Sequence, residues 1–236
     1  MPSYQFPAKI GAIQEVPAAL MYVDMHCHSV SSDDSRATVE QYLKWIQVLR
    51  KRGQQVDAIV LTEHRKFDAE HDYSALSSQY GVVVLKGSEL DTRYGHFLVY
   101  GANQRLQRSF DFTDTKLDSV ALMQEAKECG AIAIPAHPGR FGIGFCEYVD
   151  KGPDFSDVGI VELLNGGSRR GENERAEELV GKKSFLGTGG SDAHFVSAIG
   201  TCLTEFPQNI RNEQELVEAL LAKEFRAVRL EETNHH

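Results

Sequence analysis

The sequence predicts a single α/β domain built on a mainly parallel sheet. Three observations carry this. Short, nearly continuous apolar runs alternate with stretches whose apolar residues recur at helical spacing, as in a sheet covered on both faces by crossover helices. No linker, internal repeat or low-complexity segment divides the 236 residues, a length at which α/β barrels are routinely one domain. Polar residues able to bind metal stand where several of the apolar runs stop, and in a parallel barrel the strand ends converge on one face.

Residues 1–20 precede the first apolar run and read as an N-terminal extension, leaving 21–236 as the domain. The strand candidates are Tyr22–Met25, Val56–Leu61, Val82–Leu85, Phe97–Tyr100, Ala131–Pro135, Gly159–Leu164, Phe185–Gly187 and Ile199–Phe206. The clearest helix runs from Val39 to Arg52, where Val39, Tyr42, Leu43, Ile46 and Leu49 form one apolar stripe. Thr38 and Gln41 have capping-box spacing at its start, and Gly53 suits a left-handed turn at its end. Further helices are expected over Leu117–Cys129, over about Gly171–Val180, and from Asn212, an N-cap residue followed by Leu216, Leu220 and Leu221. Residues 103–115 and 139–152 read as loops.

Composition narrows the function classes. The chain is 42% hydrophobic and 25% charged, ordinary for a soluble protein. No apolar run is long enough to span a bilayer, and Met1–Leu20 lacks the apolar core of a secretory signal. The cytoplasm is the expected location. The formal charge of −9 comes without a Lys/Arg block, which argues against long nucleic acid as a partner. Cys27, Cys129, Cys146 and Cys202 are scattered with no Cys-x-x-Cys pair, so they read as packing residues.

The chemistry lies at the ends of the apolar runs. The first leads into His26-Cys27-His28, and the second into Glu63-His64. Gly87-Ser88-Glu89, Ala136-His137-Pro138 and Gly190-Ser191-Asp192-Ala193-His194 follow later runs. A lone buried histidine is more often a hydrogen-bonded core residue than a ligand, and a lone glutamate after a strand is usually solvated. The joint pattern is different: six of the nine histidines (His26, His28, His64, His96, His137 and His194) fall in the set. Burying so many ionisable groups together is costly unless they pair or coordinate metal.

These segments, in this order over residues 22–205, resemble the motifs of the PHP (polymerase and histidinol phosphatase) superfamily. The resemblance rests on His26-Cys27-His28-Ser29-Val30-Ser31-Ser32-Asp33, Thr62-Glu63-His64, Gly87-Ser88-Glu89 with Gly95-His96, Ala136-His137-Pro138 and Gly190-Ser191-Asp192-Ala193-His194. It implies a distorted (β/α)7 TIM-like barrel with two or three divalent metal ions. His26, His28, Glu89 and Asp192 would hold the first. Glu89, His96 and His137 would hold the second, with Glu89 bridging, and Asp33, His64 and His194 the third. It departs from the family in having Asp34 where glycine is usual and Glu63 where aspartate is usual. Asp34 leaves the register open, and the spacing from His28 favours Asp33.

Such imidazole and carboxylate donors, without thiolate, suit Mn²⁺, Fe²⁺ or Zn²⁺. The implied activity is phosphoester hydrolysis by a metal-activated hydroxide, with Asp192, His194 and Glu89 as candidate catalytic residues. Expected substrates are small: nucleotide or metabolite phosphate monoesters, or short oligonucleotide ends. Arg140, Arg169 and Arg170 are candidate phosphate grips, since guanidinium binds phosphate through two parallel hydrogen bonds. The competing readings are a metal-dependent C–N hydrolase of the amidohydrolase type and a metal-stabilised binding module without turnover.

Overall fold

The computed structural model describes residues 20–234, so all of the expected N-terminal extension except Leu20 lies outside the described residues. The chain runs β1 (Met21–Cys27), α1 (Val39–Lys51), β2 (Ala58–His64), α2 (Ser74–Tyr80), β3 (Val83–Thr92), β4 (Gly95–Tyr100), α3 (Gln104–Ser109), α4 (Ser119–Glu128) and β5 (Ile132–Pro135). It continues through β6 (Ile160–Asn165), α5 (Glu172–Lys183), β7 (Leu186–Gly190), β8 (Cys202–Phe206), α6 (Glu213–Ala222) and β9 (Arg226–Arg229).

Strand and helix alternate as expected, but the sheet is mixed. Seven strands form one sheet in the order β5-β4-β3-β2-β1-β8-β9, and β6 pairs with β7 beside it. Only β1–β2, β2–β3 and β6–β7 are parallel. The expectation of a mainly parallel sheet fails first at β3–β4, which pair antiparallel. Only Arg93 and Tyr94 separate these strands, and a parallel crossover needs a dozen or more residues. β5, β8 and β9 also add antiparallel. Among the described residues there are six α-helices, too few to follow every strand. The result is a single α/β domain on a curled sheet, without the regular strand–helix repeat of a full (β/α)7 barrel.

The curl is closed near the site by specific bonds. The backbone N–H groups of Asp192 and His28 donate to the His26 and Ala193 carbonyls at 2.7 and 2.9 Å, attaching the end of β7 to β1. On the other side, where β5 faces β6, the His137 N–H donates to the Glu162 carboxylate at 2.6 Å.

The core explains the aim of β1. Met21, Val23 and Met25 join the apolar cluster that α6 completes with Leu216, Val217, Ala219 and Leu220. The β1–β2 register then slips between Asp24 and Cys27. Cys27 consequently belongs to the opposite cluster, with Ile46 and Leu49 of α1. A bulge of this kind reverses which alternate side chains face inward, and it turns His26 and His28 to the concave side. Helix α1 has the expected apolar stripe and the Thr38–Gln41 capping box. No helix among the described residues is long and apolar enough to cross a membrane.

Candidate metal centre

Glu89 is the hub. It lies within β3, and its buried carboxylate meets five imidazoles. Oε1 is 2.8 Å from His137 Nε2 and 3.0 Å from His96 Nδ1. Oε2 is 3.1 Å from His64 Nδ1 and 3.3 Å from both His26 Nε2 and His28 Nε2. Asp192 adds an oxygen 3.4 Å from Nε2 of His26 and of His28. The donor atoms fall into three groups, each drawn together within 4.8 Å: His26, His28, Glu89 and Asp192; Glu89, His96 and His137; and His28, His64 and His194.

These donors fit divalent cations. His26 Nε2 and His28 Nε2 face each other at 3.0 Å, and His64 Nε2 and His194 Nε2 at 3.4 Å. Two imidazole nitrogens at such distances can share only one proton between them. Lone pairs therefore gather on common centres with carboxylates to balance charge, as cation sites require. His137 Nδ1 is buried without a hydrogen-bond partner among the described residues.

The same crowding biases protonation. Burial would raise the Glu89 carboxyl, but the His26 charge and hydrogen bonds from His137, His26 and His28 hold it well below the usual carboxylate range. Burial likewise opposes, and the His26 charge and a His28 hydrogen bond enforce, a strongly lowered Asp192. Burial works against a charged His26, yet the Glu162, Asp192 and Glu89 carboxylates raise it well above the ordinary imidazole value. His137 goes the other way, because burial dominates there. Both His137 and Asp192 have left-handed backbones, φ +27° and +51°. Strain of this type at non-glycine residues concentrates at functional sites.

A family profile described as PHP-associated matches residues 170–225. Among solved structures, a two-domain Bacteroides vulgatus protein containing a predicted PHP-like metal-dependent phosphoesterase superposes with a TM-score of 0.56 and 21% identity, over 97% of this chain and 70% of that one. Endonuclease Q, crystallised with a 27-mer duplex substrate carrying an abasic lesion, superposes with a TM-score of 0.59 and 14% identity, over 86% of this chain and 57% of that one. The uncharacterized protein MJ1587 of Methanocaldococcus jannaschii is 24% identical over 125 residues, 50% of this chain and 68% of the relative. At these identities the structural likeness is one of fold, and the profile agrees with it.

The chain thus has the fold of PHP-like proteins and, over residues 170–225, the sequence pattern of a PHP-associated segment.

Two expectations change. The exclusion of long nucleic acid does not stand, because a protein of the same fold takes duplex DNA at its active site. Net charge was a poor guide, since it averages over a whole surface whereas recognition is local. The second change concerns the opening motif. Asp34 Oδ2 lies 3.2 Å from His64 Nε2 and 3.3 Å from His194 Nε2. Asp33 is turned aside toward Arg65, 3.4 Å away. Spacing pointed to Asp33, but the turn after Ser32 presents its neighbour.

The arginines divide. Arg140 reaches the site, with Nη2 donating to Asp192 Oδ2 at 2.7 Å. Arg169 and Arg170 are exposed in the loop between β6 and α5; the Arg169 contact there is its backbone N–H, which donates to Glu172 at 2.7 Å.

Three supporting groups escaped the sequence reading. Glu162, in mid-strand β6, accepts from His26 Nδ1 at 2.9 Å. Asn165 Nδ2 donates to Glu162 and to Asp192 at 3.0 and 3.2 Å. Asp24 accepts from the backbone N–H groups of Ser191 and Gly200 at 2.8 Å each, and burial pushes its carboxyl up to about 6. The available signal was a lone carboxylate inside an apolar run, at Asp24 in Tyr22–Met25 and at Glu162 in Gly159–Leu164. Glu63, noted as longer than the family's usual aspartate, accepts from Ser32 Oγ at 2.6 Å and the Ser29 N–H at 3.1 Å. It holds the turn that carries Asp34.

Proposed function

We propose that this chain is a metal-dependent phosphoesterase of the PHP type using two or three divalent cations. The carrying observation is the single Glu89 carboxylate set among five imidazoles. His26, His28, Glu89 and Asp192 would hold one cation, and Glu89, His96 and His137 a second. Asp34, His64 and His194 would hold a third. Mn²⁺, Fe²⁺ and Zn²⁺ suit these donors. We read the curled sheet with β6 and β7 as a distorted (β/α)7 TIM-like barrel, and residues 21–236 as one catalytic unit.

The chain's own residues set up the reaction. Cations bound here supply Lewis acidity toward a phosphoryl oxygen and lower the pKa of water. Glu89 would serve both of the first two positions, since Oε1 faces His96 and His137 and Oε2 faces His26 and His28. Arg140 pins one oxygen of Asp192 at 2.7 Å and leaves the other facing His26 and His28. Its remaining side-chain N–H groups make no hydrogen bond among the described residues and would bind an entering phosphate. His194 and Asp192 line the mouth beside it.

Phe141 and Phe195 are exposed, each one residue beyond a site residue, Arg140 and His194. Aromatic faces next to a phosphate site favour a nucleobase-bearing phosphoester, from a nucleotide to the end of a strand.

The test loads the purified chain separately with Mn²⁺, Fe²⁺ and Zn²⁺, with elemental analysis. Each form is offered a nucleoside monophosphate, ribose phosphate, an abasic duplex and a cyclic amide. Release of phosphate or strand scission is expected with at least one metal, and a lower KM for the nucleotide than for ribose phosphate. Activity confined to the amide, or no activity at all, would sink the proposal.

The register is tested separately. Asp34→Asn is expected to lower metal content or turnover about 10–100-fold, while Asp33→Asn stays close to the parent. The reverse ranking would restore Asp33 as the ligand.

A further inference from the structure

We propose that Glu162 is a positioning residue that selects the metal-binding tautomer of His26 and ties two of the cation positions together. The inference rests on the metal-site reading above and goes beyond it, since Glu162 belongs to none of the three donor groups.

Glu162 is fully buried, and its two oxygens have separate duties. Oε1 lies 2.9 Å from His26 Nδ1. Oε2 accepts from the His137 N–H at 2.6 Å and from Asn165 Nδ2 at 3.0 Å. A carboxylate can only accept, so the proton of a neutral His26 ring is held at Nδ1. Nε2 is then left as a lone pair. That nitrogen faces Glu89 and His28 at 3.3 and 3.0 Å, which is the first cation position. The bond at Oε2 holds the backbone of His137, whose φ of +27° is strained and whose ring belongs to the second position. Asn165 extends the same link to Asp192 Oδ2 at 3.2 Å. One carboxylate thus orients a ligand of each position and closes the gap between β5 and β6.

An amide cannot do both jobs. If the glutamine oxygen accepts from His137 N–H, its NH₂ faces His26 Nδ1 and drives the ring proton to Nε2, where it blocks coordination. If the oxygen turns to His26, the NH₂ opposes the His137 N–H. Either way one position is damaged, although shape and volume are preserved.

The experiment uses the full chain, ¹⁵N-labelled and metal-free. Long-range ¹H–¹⁵N correlation, recorded on the alkaline side of the His26 titration, reports which nitrogen of the neutral ring carries the proton. Chelator competition measures Mn²⁺ and Zn²⁺ affinity for the parent and for Glu162→Gln. The parent is expected to carry its proton at Nδ1, and the variant to bind metal about 10–100-fold more weakly. A parent His26 protonated at Nε2 overturns the inference even if the variant does not fold. So does a folded Glu162→Gln with parental affinity, or one with a lowered Tm but unchanged tautomer and affinity, which marks a merely structural role. A parent that binds neither metal instead overturns the metal-site reading itself.

Discussion

Glu89→Gln is expected to empty the centre. The amide keeps the shape of the side chain but presents a donor where five ring nitrogens converge within 2.8–3.3 Å. Both of the first two cation positions lose their shared oxygen. Mutating an outer partner of a metal site typically costs about 10–100-fold, and loss of a bridging ligand should exceed this in both affinity and turnover. The metal-free variant should still fold, because its apolar clusters are untouched. Elemental analysis after dialysis, with circular dichroism as the folding control, checks it. A folded variant holding the parent's full metal complement would show that Glu89 is not the bridge.

Gly190→Ala should be nearly as damaging, through packing rather than charge. A methyl group at Gly190 would overlap Cβ of His26 and stand 2.7 Å from its backbone nitrogen and 2.9 Å from Glu162 Oε1. The first two atoms lie at the base of His26 in β1, and the third is tied to His26 Nδ1 at 2.9 Å. Overpacking a tight interior costs about 1–3 kcal/mol, and this site belongs at the upper end because ligand strand and supporting carboxylate must both move. Gly181, inside α5, is the control. A methyl there meets nothing within 4 Å, and alanine in a helix gains up to about 1 kcal/mol over glycine. Thermal unfolding and chelator competition on the two variants should separate them clearly. A Gly190→Ala protein that matches the parent in both would show that β7 does not press on His26.

The sequence carried the positions of the chemistry better than the course of the chain around it. His26, His28, His64, His137, Asp192 and His194 were legible because each follows an apolar run, and strand ends gather wherever a sheet curls. Glu89 was expected at a strand end. It lies in mid-strand, because β3 continues to Thr92 before turning tightly into β4. The pattern Val83-Val84-Leu85 fades into Lys86-Gly87-Ser88, and apolar periodicity cannot follow a strand through residues whose burial is polar. α3, Gln104–Ser109, lay in a stretch read as loop; it has one buried residue, Leu106, so no stripe announced it. The strand β9 has only four residues and is exposed at Arg226 and Arg229. Glu162 and Asn165 were invisible as a pair, because their partners His26, His137 and Asp192 are remote in sequence and the linking bonds exist only after folding.

The left-handed backbones at His137 and Asp192 have an evolutionary consequence. Glycine would relieve the first and asparagine or glycine the second without disturbing the apolar clusters, and either change would delete a donor. Stabilising substitutions of this kind erode activity where function depends on strain. A mutant library sorted only for heat resistance should therefore shed these two residues early. Descendants freed from selection for turnover would drift along the same path, keeping the architecture while losing the capacity to hold cations.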